Sequence, residues 1–244
     1  MKSRWVFVVG MYRTGSTTQY RMAEEIVQST ENGVGIGYHT ENRLVAFDEG
    51  EAPQMGKQIV VCKVFIYLPE TSPKGAEFLR DHRIMAIGSV RDPRDVFISM
   101  RERRRTSGQD VEQEYYDQTV HVDFPKWFAQ FNQWVKSVPA HVSRFEDFTT
   151  NPLPEVKKLA NFLRIPLSQQ DAVTIASKYT TSALKAEQAR NKQDKPEREH
   201  PMLPSIPGIV FGTTGHWRNF LTEKQGQEIY QETKTYMDTW GFKP

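Results

Sequence analysis

The sequence predicts an α/β protein: a central parallel sheet flanked by helices, with a phosphate-binding strand–loop–helix at its start. Short apolar runs alternate with helical patterns along the chain, as expected for buried parallel strands joined by helical crossovers. The first run closes on Gly10, and Met11-Tyr12-Arg13-Thr14-Gly15 then turns into the hydroxyl-rich helix start Ser16-Thr17-Thr18. With 244 residues, 38% of them hydrophobic, the chain can bury one sizeable core, so a single domain over 1–244 is expected.

Strands are expected at 5–9, 58–65, 84–90 and 141–145, with a weaker one at 35–39. Each is a short apolar stretch bounded by polar or turn residues. Helices are expected at 17–29, 73–81, 94–104, 124–137, 152–163, 168–178 and 223–240. Asn151-Pro152 reads as an N-cap followed by proline at the first helical position. Ser168 and Thr222 are further caps, and Thr222 stands three residues before Gln225, the spacing of a capping box. Trp127, Phe128, Phe131 and Trp134 recur at helical spacing and read as a core face. The stretch 185–204 is rich in Lys, Glu, Gln, Asp, Arg and Pro, and reads as a mobile surface loop.

Composition removes several function classes. With 32 basic and 30 acidic side chains the net charge is +2, which gives no bulk attraction for nucleic acid. The basic knot Arg101-Glu102-Arg103-Arg104-Arg105 reads first as a solvated helix end. The single cysteine, Cys62, lies inside the apolar run Ile59-Val60-Val61-Cys62, so no intramolecular disulfide can form and a reducing cytosol is expected. No apolar run approaches the ~20 residues of a membrane helix, and Met1-Lys2-Ser3-Arg4 leads straight into a strand rather than a signal peptide. A cytoplasmic protein is the expectation.

Three segments carry chemistry. The Walker template G-x-x-x-x-G-K-S/T fits from Gly10 to Thr17, except that Ser16 stands where the lysine belongs and the cation is Arg13. Backbone N–H groups, hydroxyls and the positive helix end still suit an anion. The second segment, Gly88 to Ser99, delivers Arg91 at a strand's carboxyl end and Ser99 about two turns along the following helix. Both could flank one anion, or Asp92, Arg94 and Asp95 could simply cap the helix. The third, Gly212 to Thr222, holds two glycines, Trp217 and Arg218 before a capped helix, a loop suited to a flat ligand. A nucleotide or small-molecule kinase is the rival reading, but it would want the P-loop lysine and a magnesium-binding aspartate after a strand.

Together these segments resemble the PAPS-dependent sulfotransferases, PAPS being 3′-phosphoadenosine-5′-phosphosulfate. Arg13-Thr14-Gly15-Ser16-Thr17 is similar to the family's 5′-phosphosulfate loop, a basic residue followed by hydroxyl, glycine and two hydroxyl residues. Arg91 and Ser99 match its 3′-phosphate motif, which often begins R-D-P-R. Gly212 through Asn219 match its late motif G-x-x-G-D-W-K/R-N apart from His216, and Arg144 through Pro152 resemble its Y-E-D-L-x-x-D/N-P segment. The resemblance implies metal-independent transfer of a sulfonate from PAPS to a hydroxyl or amine acceptor, leaving adenosine 3′,5′-bisphosphate. It implies that Arg13, Thr14, Gly15, Ser16, Thr17 and Thr18 hold the 5′-phosphosulfate and that Arg91 and Ser99 hold the 3′-phosphate. Gly215, Trp217 and Arg218 line the nucleotide, and Lys63 serves as a transition-state cation. Cytosolic members use a K-T-H histidine as base; here Lys63-Val64-Phe65 keeps the lysine, and Phe65 stands at the histidine. Glu41, in an E-N-R segment similar to the tyrosylprotein branch, is the expected base, ahead of His39 and His216. The acceptor could be a small molecule, saccharide or peptide, with its pocket built from loops at 38–56, 106–123 and 185–207. A catalytically silent nucleotide binder is the remaining alternative, and no dimer motif is evident.

Overall fold

The computed structural model describes residues 3–40, 44, 56, 58–70, 73–194 and 214–244. Among them a five-stranded sheet has the order β2-β3-β1-β4-β5, with β1 Arg4–Val8, β2 Gly33–Tyr38, β3 Ile59–Lys63, β4 Arg83–Val90 and β5 Ala140–Arg144. Every pairing is parallel. The central strand shows why both faces are covered. Trp5 and Phe7 point to one apolar cluster, while Val6 and Val8 point to the other. On the first face, Trp5 meets Phe78 edge-on at 4.9 Å, and Phe7 meets Trp134 at 5.2 Å. On the second, Tyr20, Met22 and Ile26 pack with Val156, Leu159 and Ile175.

The helices are α1 Ser16–Gln28, α2 Pro73–Asp81, α3 Pro93–Thr106, α4 Gln113–Asp117, α5 Phe124–Ser137, α6 Phe145–Thr150, α7 Pro152–Leu163, α8 Gln169–Ser177, α9 Thr181–Asp194, α10 Glu223–Glu232 and α11 Lys234–Thr239. A π-helical turn over Gln118–Asp123 joins α4 to α5. The expected caps form. Ser168 accepts from the Asp171 N–H, and Thr222 and Gln225 make the reciprocal capping box. Asn151 precedes Pro152 at the start of α7, though its side chain makes no capping bond.

Three expectations are corrected. The stretch 223–240 is two helices rather than one, parted at Thr233, whose backbone leaves the helical region at φ −111 and ψ 14 while its hydroxyl and N–H both donate to the Ile229 carbonyl. Residues 185–194, read as part of a loop, continue α9; polarity hid a helix pinned through Arg21, which grips Glu187 with two 3.0 Å bonds. The rest of that stretch, 195–204, lies outside the described residues. The short helices α4 and α6 were not foreseen, because one or two turns show too little periodicity to read.

Candidate functional site

Because β1 lies between β3 and β4, three segments leave the sheet side by side at its carboxyl edge. Val8 pairs with Lys63 on one side and Ile87 on the other, and β4 runs on to Val90 and Arg91. This is the edge where parallel sheets collect ligands. Loop 9–15 bends tightly over it, with Arg13 at φ 63 and Gly15 at φ 88, both left-handed. For Arg13 that conformation is strained, a cost that clusters at functional sites.

The cations converge here. Arg13 Nε donates to Ser99 Oγ at 2.9 Å, and Arg91 Nη1 donates to the Arg13 carbonyl at 3.0 Å. Lys63, buried at 6% exposure, donates to Thr17 Oγ1 at 2.7 Å and lies 4.8 Å from the Phe65 ring centroid. Arg91 stacks on Phe145 at 4.2 Å. Among the described residues neither Arg13 nor Lys63 has an ion-pair partner. Burial therefore disfavours their charged forms, and like charges add to it. Arg13 is lowered to about 10 by burial, then by Arg103 and Arg91; Lys63 is lowered to about 8 by burial, then by Arg13. Arg103, an exposed member of the basic knot, is thus close enough to act electrostatically on Arg13. Its neighbours Arg101 and Arg104 instead lie over Phe220 and Tyr115.

Around the cations, α1 begins at Gly15 with no side-chain cap, which leaves its first-turn N–H groups to the loop. Thr14 differs from the other hydroxyls: its side chain is fully buried and bonds the Met11 carbonyl at 2.9 Å and Ser89 Oγ at 3.0 Å. Only its backbone can serve a ligand. Gln19 is also turned inward, donating to the Gly88 carbonyl and Ser143 Oγ, each at 3.0 Å.

A profile of the sulfotransferase domain family matches residues 3–241. The chain belongs to this family. Sulfotransferase 2A6 of Rattus norvegicus is 24% identical over 158 residues, 59% of this chain and 54% of that protein. The match thus spans about half the length of that relative. Among solved structures, mouse sulfotransferase SULT7A1 complexed with PAP superposes with a TM-score of 0.67 at 16% identity, covering 98% of this chain and 86% of the other. Retinol dehydratase in complex with androsterone and inactive cofactor PAP gives 0.63 at 16% identity, covering 96% and 80%. These likenesses establish a sulfotransferase fold.

In this sulfotransferase-domain chain the segment Gly212–Thr222 is tied to the segment Gly88–Ser99 through Asp95, which the sequence alone presents as a helix-capping acid. Asp95 accepts the Gly215 N–H at 2.7 Å and the Trp217 N–H at 2.9 Å, while Asp92 alone caps α3. A second acid one turn inside a helix that already has its cap is the signal that was there to be read. Burial raises the Asp95 carboxyl. The Trp217 indole lies between the Arg94 and Arg218 guanidinium groups, at 4.2 and 4.4 Å, so its ring packs as an anchor. Arg94 itself is buried and ion-paired with Asp92 at 2.8 Å. Substituting Asp95→Asn should cost about 1.5–3 kcal/mol, the range for a hydrogen bond to a charged group. Hydrogen exchange should then accelerate at Gly215 and Trp217 while β1 stays protected.

The other expected residues divide clearly. Arg13, Gly15, Ser16, Thr17, Thr18, Lys63, Arg91 and Ser99 share one edge of the sheet. Glu41 lies outside the described residues, as do Gly212 and Thr213. His216 packs against Phe220 at 4.8 Å, and His39 donates its backbone N–H to the Lys63 carbonyl. Of the three loops expected to build an acceptor pocket, much of 38–56 and of 185–207 lies outside the described residues, and the described lining of the cavity nearest the site comes from other segments. That cavity, about 440 Å³, is walled by loop 9–15, the chain after β3, and α5, including Trp127 from the expected core face.

Lys63 predicts a pH dependence. A lysine lowered in the free protein regains its proton when an anion binds. Anion affinity should be full below about pH 8 and fall as the pH rises through that value. Calorimetry above pH 8 in buffers of different ionisation heat should register proton uptake, and Lys63→Met should abolish it.

Proposed function

We propose that this protein transfers a sulfonate group from PAPS to a hydroxyl or amine acceptor without a metal ion, leaving adenosine 3′,5′-bisphosphate. The observation that carries the reading is the convergence of half-buried Arg13 with buried Lys63 and Arg91, and with Ser99, beside a helix start that has no side-chain cap. Arg13 and Lys63 have no ion-pair partner among the described residues, and such a cradle suits a polyanion. Family membership and the PAP complexes of structural relatives support it.

In this reading Arg13, the Thr14 and Gly15 backbone, and Ser16, Thr17 and Thr18 hold the 5′-phosphosulfate. Arg91 and Ser99 hold the 3′-phosphate, with Gly215, Trp217 and Arg218 closing that side. When bound, PAPS supplies an activated sulfonate on a phosphate leaving group. The residues would align the donor, and the Lys63 and Arg13 cations would offset charge developing on the leaving group. Glu41 as proton acceptor rests on the sequence resemblance alone. A single domain over 1–244 and a cytoplasmic location, suggested by the lone buried Cys62, belong to the same proposal.

A panel of phenol, sugar, peptide and lipid acceptors incubated with radiolabelled PAPS in EDTA tests the reading. Label should pass to at least one acceptor class. Transfer that instead demands magnesium and ATP would overturn it.

A further inference from the structure

Strands β4 and β5 end together at the Val90–Arg144 pair, and the chain from Tyr236 to Lys243 is fastened across that edge by arginines from both sides. Arg144 Nη1 donates to the Trp240 carbonyl at 2.7 Å, and its guanidinium lies over the Phe242 ring at 4.4 Å. Arg94, buried in the first turn of α3, donates from Nη2 to the Lys243 carbonyl at 2.5 Å.

Within this segment, Tyr236 of α11 reaches Arg91. The Arg91 N–H donates to the Tyr236 hydroxyl at 3.3 Å, and that hydroxyl donates to the Arg91 carbonyl at 3.4 Å. Both bonds are long and weak singly, but they act together on the residue whose backbone leaves β4 as its side chain enters the cradle. Buried backbone groups at a strand end need such partners. Burial raises the Tyr236 phenol, which keeps its proton and can accept and donate at once. Two near-parallel rings fix its plane: Phe128 at 4.0 Å and 18°, and Phe242 at 6.2 Å and 15°.

The Arg91 side chain is steered separately. Its guanidinium stacks on Phe145 at 4.2 Å and donates to the Arg13 carbonyl at 3.0 Å. Those contacts set the direction of the side chain, while Tyr236 sets the point from which it starts. A long side chain is placed no better than its own backbone, and a misplacement of about 1 Å is enough to matter for a bound group.

We propose that Tyr236 is a positioning residue for 3′-phosphate recognition: its hydroxyl fixes the Arg91 backbone and thereby sets the preference for a 3′-phosphorylated nucleotide. The inference rests on the sulfonate-transfer reading, in which Arg91 holds that phosphate. Tyr236 acts through Arg91 and not on the ligand. A tyrosine kept for packing alone would be replaceable by phenylalanine with no change in ligand choice, since Tyr236→Phe retains both ring contacts.

The test compares adenosine 3′,5′-bisphosphate with adenosine 5′-phosphate, which lacks only the 3′-phosphate, by titration calorimetry in EDTA. Tyr236→Phe should weaken bisphosphate binding about tenfold, the scale of a lost hydrogen-bonded partner, and change adenosine 5′-phosphate binding less than about twofold. In an Arg91→Ala background the same substitution should cost less than about twofold for either nucleotide, because the side chain it positions is gone. Phe128→Leu keeps the hydroxyl but removes the stacked ring, and should give the same selective loss in smaller measure, about threefold. Equal weakening of both nucleotides, unchanged bisphosphate affinity in Tyr236→Phe, or an equal loss with and without Arg91 would overturn the inference and leave sulfonate transfer standing. Should Tyr236→Phe not fold, Phe128→Leu decides, and the absence of a selective loss there overturns the inference. An unaltered protein that binds neither nucleotide, or binds both alike, would mark the failure of the underlying reading instead.

Discussion

Gly15→Ala should destabilise the protein by about 2–5 kcal/mol and abolish measurable bisphosphate binding. Two costs add. The residue sits at φ 88, where an L side chain costs about 1–2 kcal/mol. A methyl group there would lie 2.7 Å from Phe148 and 2.8 Å from Phe145, and overpacking of this kind costs about 1–3 kcal/mol. Relief requires the Phe145 ring to move, and that ring carries the Arg91 guanidinium. The backbone of the phosphate loop and a candidate 3′-phosphate ligand are thus disturbed together. Gly37 is the matched control: it has φ 77, and among the described residues nothing lies within 4 Å of where its methyl would stand, so Gly37→Ala should cost the conformational ~1–2 kcal/mol. Urea denaturation of the two variants, with bisphosphate titration of each, checks the difference. Equal losses would show that the Phe145–Phe148 contact is immaterial.

Arg13→Asn should separate stability from function. Asparagine tolerates the left-handed backbone, so the loop conformation survives the change. Binding should weaken about 10²–10³-fold, the scale of losing one strong electrostatic donor. The free protein should be no less stable, since Arg13 is a desolvated cation near Arg91, Arg103 and Lys63. Its removal also lifts one cause of the lowered Lys63 value, so the pH at which affinity declines should move above 8. A residue kept for structure would behave in the opposite way, with stability falling by more than about 1 kcal/mol and binding little changed.

The parallel sheet was legible because buried strands need long β-branched and aromatic runs, and 5–9, 58–65 and 84–90 have them. Helices 73–81, 124–137 and 152–163 were legible to the residue, because proline or amphipathic spacing marks both ends. What escaped was set by tertiary partners. Helix α9 has no continuous apolar face, and its tertiary ties are Leu184 against the core, Thr181 on the Thr149 carbonyl and Glu187 on Arg21. Asp95 looked like helix-capping chemistry until the fold brought Gly215 and Trp217, some 120 residues away, onto its oxygens. Thr14 matched the phosphate motif by type, yet its hydroxyl serves Met11 and Ser89. Motif spacing identifies which residues gather at an edge, but not which atoms face a ligand. The aromatic cavity was least legible of all: its walls come from three distant segments, and Trp127 reads in sequence as core.

The central claim is a metal-free site for a 3′-phosphorylated nucleotide. Titration calorimetry of adenosine 3′,5′-bisphosphate in EDTA, set against ATP with magnesium, tests it most directly. The account predicts binding of the bisphosphate that magnesium does not change, that Arg91→Ala weakens at least tenfold, and that far exceeds binding of ATP. Preferential binding of magnesium-ATP, or bisphosphate binding indifferent to Arg91→Ala, would contradict it.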